Sequence, residues 1–151
     1  MNKVTFIQSE FANLVSKLNA NDIGIWGKMN AQQMIEHVAD FFKVSYNKIN
    51  FPLVTPLEHL PKFKEFLLSD KEFRENTKAP ILPEEPFKVR NKNIEEAVSE
   101  LKNDISEFFI YFKENETQKS LHPVFGELSF EEWVKLHYKH TQHHAKQFNL
   151  I

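Results

Sequence analysis

The chain has 151 residues, no cysteine, and 19 basic against 21 acidic side chains, for a net charge of -2. That length suits a single domain over residues 1–151, with a core that needs no covalent staples. The lack of cysteine excludes disulfides, iron–sulfur clusters, thiolate zinc sites and a cysteine nucleophile, and the balanced charge argues against nucleic acid as a partner. The first helix is expected over Val4–Leu18, where Ile7, Phe11, Leu14 and Leu18 recur at steps of four, three and four. The second is expected over Ala31–Lys48. Asn30 caps it, Gln33 completes a capping box, and Met34, His37, Val38, Phe41 and Val44 form its buried face.

From Phe51 to Lys92 the chain holds six of its seven prolines, which forbids one long helix. A short helix over Leu57–Leu68 fits if Pro61 lies in its first turn. Phe63, Phe66, Phe73 and Phe87 suggest that this segment packs down as a cover. A third long helix follows over Ile94–Lys113, with Asn93 and Glu96 as capping signature and a seam of Ile94, Val98, Leu101, Ile105, Phe108 and Phe112. The fourth runs over Phe130–Phe148, opened by Ser129 and Glu132. Strand signals are weak. The expected fold class is therefore all-α, a four-helix bundle with a long Pro-rich crossover between the second and third helices.

No run is apolar and long enough to cross a bilayer, and the first ten residues lack the apolar core of a signal peptide, so a cytoplasmic protein is expected. With only Gly24, Gly27 and Gly126, no phosphate-binding glycine loop can be written, and no serine sits in a G-x-S-x-G elbow. Histidine is where chemistry concentrates. Four of the seven crowd into H-Y-K-H-T-Q-H-H, residues 137–144. On a helical wheel His140 and His144 occupy the centre of the apolar arc, while His143 falls about 60° to one side.

Histidines four apart on a helix can converge on one ion, and His37 on the second helix is the natural third ligand. Three imidazoles leave a coordination position open for water or substrate, as a catalytic site requires. The competing reading is three hydrogen-bonded core histidines, each needing its own buried partner. His137, three residues before His140, is a rival chelator or a pocket residue. His143 reads as a solvated flank, and His59 and His122 as surface residues. Trp133, Phe41 and Met34 are candidate walls; Gln33 and Asp40 are candidate partners for orienting His37.

The stretch W-G-K-M-N-A-Q-Q-M-I-E-H-V (Trp26 to Val38) is one half of a pattern. The other half is H-P-V-F-G-E-L-S (His122 to Ser129) with H-Y-K-H-T-Q-H-H-A-K-Q-F (His137 to Phe148). Together they resemble the DinB-like superfamily of metal-binding four-helix bundles, in a bacterial branch of unknown function. The resemblance implies a three-histidine site at His37, His140 and His144, holding a divalent ion such as zinc or nickel. It also implies thiol-dependent transferase or isomerase chemistry. Since such an ion activates water or a thiol, the expected function is a metal-dependent hydrolase or thiol-dependent transferase acting on a small-molecule substrate. Better-known members carry H-H-R-G-Q here; this chain has Ala145 and Lys146 in place of Arg-Gly and keeps Gln147. The family often pairs, which with 15 phenylalanines points to a homodimer. The alternative is a protein that holds a metal or ligand without turnover.

Overall fold

A computed structural model describes residues 2–77 and 79–151. The chain opens with one continuous rod, α1, made of Lys3–Thr5, Phe6–Glu10 and Phe11–Val15. Its middle section is a π-turn, closed by the Phe11 N–H bonding back to the Phe6 carbonyl. The widened turn brings Phe6, Ile7 and Phe11 into the core together, with Ala12 and Val15 following. Leu14 and Leu18 are only half-buried, because the extra residue rotates the apolar face away from the simple period.

Helix α2, Ala31–Ser45, begins with the expected capping box between Asn30 and Gln33. It ends earlier than periodicity suggests, since Asn47 turns left-handed at φ 65°. Nearly its whole circumference is buried, including Gln32, Glu36, Lys43 and Ser45. A 3-10 turn at Leu57–His59 leads into α3, Leu60–Leu68, with Pro61 in the first turn. Helix α4, Ile94–Glu114, packs along α2 in the most extensive helix pair of the molecule. Helix α5, Phe130–Gln147, carries the second capping box, from Ser129 and Glu132.

The all-α expectation is corrected between α4 and α5. There, β1, Ser120–His122, pairs antiparallel with β2, Gly126–Leu128, in the register Ser120 with Leu128 and His122 with Gly126. The fold is thus mixed, five helices and a two-stranded sheet among the described residues, and not a four-helix bundle. Three-residue strands are too short to show alternation. What makes them pair is the turn: Gly126 takes φ 83°, and His122 Nδ1 accepts the Val124 and Phe125 N–H groups at 2.9 and 3.3 Å.

The Pro-rich crossover lies against the core through Phe66 and Phe73, whereas Phe87 stays mostly exposed. Glu36 fastens its far end by accepting from the Arg90 and Asn91 backbone N–H groups at 2.9 and 3.1 Å. Among the described residues, no helix is long and apolar enough to cross a membrane.

Candidate metal centre

His37 projects from α2, and His140 and His144 lie one turn apart on α5. Their ligand nitrogens all fall within 4.8 Å of one another. His140 Nε2 is the middle of the three, 3.0 Å from His37 Nε2 and 3.0 Å from His144 Nε2. The rings meet edge to face, with centroids 4.7–5.0 Å apart. A tetrahedral ion with nitrogen ligands at 2.0–2.1 Å needs them about 3.3 Å apart, so the three rings are nearly set for one.

The protonation pattern can be followed bond by bond. Gln147 Nε2 donates to the Trp26 carbonyl at 3.0 Å, so Gln147 Oε1 is the end that meets His144 Nδ1, at 2.7 Å. An amide oxygen only accepts, hence Nδ1 of His144 carries the proton and its Nε2 is a bare lone pair. His140 Nε2 then has at most one proton to serve two close nitrogen neighbours. Such a trio is poorly matched as mutual hydrogen bonds and well matched as a donor set for a cation. Burial also keeps the rings neutral: it pushes His37 down to about 4 and holds His140 and His144 well below the usual histidine range. Neutral imidazole is the form that binds metal.

The sequence-based candidates divide sharply. His137 is not part of the trio. Ser45 Oγ donates to the Phe42 carbonyl at 2.6 Å and therefore accepts from His137 Nε2 at 3.0 Å. The His137 ring lies flat on Phe42, centroids 3.8 Å apart, as a piece of core. His143 is half-buried between Trp26 and Phe73 instead of solvated. Gln33 and Asp40 do not orient His37: Gln33 is consumed by the capping box and the Phe87 carbonyl, and Asp40 pairs with Arg90 at 2.9 Å. Phe41 and Trp133 do line the space beside the trio, while Met34 is buried away from it.

Sequence reasoning missed two residues. Gln147 orients His144; the sequence showed it as the residue kept from the H-H-R-G-Q motif, three positions after His144, but not in that role. His122, expected at the surface, is 5% exposed and lines the same cavity. That cavity has a volume of about 1140 Å³, and its wall includes the rings of Phe41, Phe63, Phe66, Phe73, Phe125 and Trp133.

No characterised protein and no solved structure matches the chain. A family model does match, over residues 8–150, and its description is a protein of unknown function, DUF1569. By that match, which spans the trio, Gln147 and both strands, the chain belongs to the DUF1569 family.

Proposed function

We propose that this protein is a metal-dependent enzyme of DinB-like kinship, in which His37, His140 and His144 hold a divalent ion, zinc or nickel. The observation that carries the reading is the convergence of three Nε2 atoms, two of them 3.0 Å from the third, with Gln147 setting the tautomer of one. When bound, such an ion lowers the pKa of a coordinated water or thiol enough to supply its anion near neutral pH. The chain's own residues do the rest. His37 spans the interior from α2, so the site forms only when both helices are packed. Gln147 presents His144 lone pair inward. Phe41 and Trp133 limit water beside the trio, which strengthens any field inside it. The cavity gives a small-molecule substrate room next to the open coordination position.

The test is metal analysis of protein prepared without a histidine tag. One equivalent of zinc or nickel is expected, lost in both His37→Ala and His140→Ala and kept in His143→Ala. Full occupancy in His37→Ala would end the cross-helix site. Assays with thiols and electrophiles, and with esters and amides, then separate turnover from simple binding.

A further inference from the structure

His122 is a cavity-lining histidine whose protonation is dictated by the backbone. Its Nδ1 accepts two main-chain N–H groups of the hairpin turn, Val124 at 2.9 Å and Phe125 at 3.3 Å. A neutral imidazole that accepts at Nδ1 must carry its proton at Nε2. No protein group among the described residues partners that Nε2, yet it is not sealed in. Among the described residues the only fully enclosed side-chain polar atom left without a partner is Trp26 Nε1. The ring is 95% buried, stacked on Phe41 and set against Phe125 and Trp133, and its remaining access is to the cavity. Here is a donor N–H held rigidly at an apolar wall and pointing at nothing the protein supplies.

We infer that the cavity takes a neutral, largely apolar ligand bearing a carbonyl-type acceptor, and that His122 Nε2–H is the group that seats this acceptor. Three features define the class. The wall is aromatic and aliphatic, from Phe41, Phe63, Phe125, Trp133 and Leu136. The side chains packed on the His122 ring, Phe41, Phe125 and Trp133, carry no charge, while Arg90 and Glu36 at the cavity border are bonded elsewhere, Arg90 to Asp40 and Glu100 and Glu36 to the Arg90 and Asn91 backbone. And His122 offers a neutral donor, since burial alone pushes it down to about 3. An anionic group seated on His122 would leave water for a neutral imidazole and three aromatic rings, with no cation among the groups packed on that ring. Phe41 ties this wall to the trio: its ring centroid is 5.8 Å from that of His122 and 5.4 Å from that of His140. This deepens the proposed enzyme reading by naming its substrate class, but the His122 bond itself needs no ion.

The experiment compares acetophenone, ethylbenzene and benzoate by NMR titration, on zinc-free and zinc-loaded protein, with zinc content measured separately. Wild type is expected to bind acetophenone about fivefold tighter than ethylbenzene in both forms, the worth of one hydrogen bond, and to bind benzoate weakest. His122→Asn keeps an acceptor oxygen near the Nδ1 position for the turn but withdraws the cavity donor, so its preference should fall to near unity. His122→Gln, whose amide reaches the Nε2 position, should restore part of it. Imidazole nitrogen NMR of wild type gives a check that needs no variant. It should show His122 protonated at Nε2, with that resonance shifting on adding acetophenone and not on adding ethylbenzene. An Nδ1-protonated His122, an undiminished preference in His122→Asn, or tightest binding by benzoate would overturn the inference. A preference seen only with zinc and surviving His122→Asn would seat the ketone on the ion, overturning the role of His122 while supporting the metal site. Loss of the preference in His122→Asn in a protein that takes up no zinc would do the reverse.

Discussion

Gln147 shows how one side chain joins three parts of the chain. Its amide forks between His144 Nδ1 and the Trp26 carbonyl, and its own carbonyl accepts from the Ile25 N–H at 2.8 Å. The 24–27 loop fits around it closely. A Cβ at Gly27 would lie 2.6 Å from Gln147 Nε2, and Gly27 holds φ 82°, which an L side chain adopts only with strain. The W-G pair is therefore a clamp on the residue that orients His144, and not merely a turn. Gln147→Leu should fold but bind zinc 10–100-fold more weakly, the usual cost of losing a partner behind a histidine ligand; competition against a chromogenic chelator measures it. Gly27→Ala should weaken zinc in the same direction by pushing the amide off His144.

At the level of elements, the hairpin and α2 are fastened by one hydroxyl. Ser120 Oγ on β1 donates to the Ser45 carbonyl at 2.7 Å and accepts from Trp133 Nε1 of α5, also at 2.7 Å. Ser45 in turn holds His137. All four residues are buried, so this chain of bonds has no water to fall back on. Ser120→Ala strands both the indole N–H and the Ser45 carbonyl and should cost about 2–3 kcal/mol, read from urea denaturation. His137 belongs to this network and not to the trio, so His137→Phe should lose stability and keep its metal. On the opposite side of α2, Lys43 and Tyr46 close on Asp104 at 2.6 Å each. Partners on two sides explain why polar residues sit around nearly the whole of a buried helix.

For the molecule as a whole, the buried histidines make acid the natural denaturant. Unfolded, His122 takes up a proton near the ordinary 6.5; folded, burial keeps it neutral down to about 3. His37 behaves alike, down to about 4. The unfolded chain therefore binds more protons across this window. Stability is complete above pH 6.5 and falls as pH drops from 6.5 toward 3, with His122 alone accounting for about 5 kcal/mol once pH lies below 3. Glu100 acts in the same sense at lower pH. Bonded to Lys43, Arg90 and Asn91, it is held down at about 2, and its contribution is present above 4.5 and lost as pH falls through 2. Urea midpoints of metal-free protein should decline steadily from pH 7 to pH 4, and His122→Asn should flatten that slope.

Much was legible in the chain itself, because local rules act on neighbours. The capping boxes at Asn30 and Ser129, the proline in the first turn of α3, and the long seam of α4 depend only on residues within one or two turns. The spacing of His140 and His144 is of the same kind, and its pairing with His37 followed from two apolar faces that must meet. Tertiary structure alone decided the rest. Whether His137 or His143 joined the trio turned on what stood opposite them, Ser45 and Phe42 for one, Trp26 and Phe73 for the other. Six residues in two strands are too few to carry a period, so the hairpin was decided by backbone turn geometry and burial. The role of Gln147 was fixed by a loop 121 residues away in the chain. A helix records its own periodicity in its side chains, but a hydrogen-bond partner from a distant loop leaves no mark on the sequence beside it.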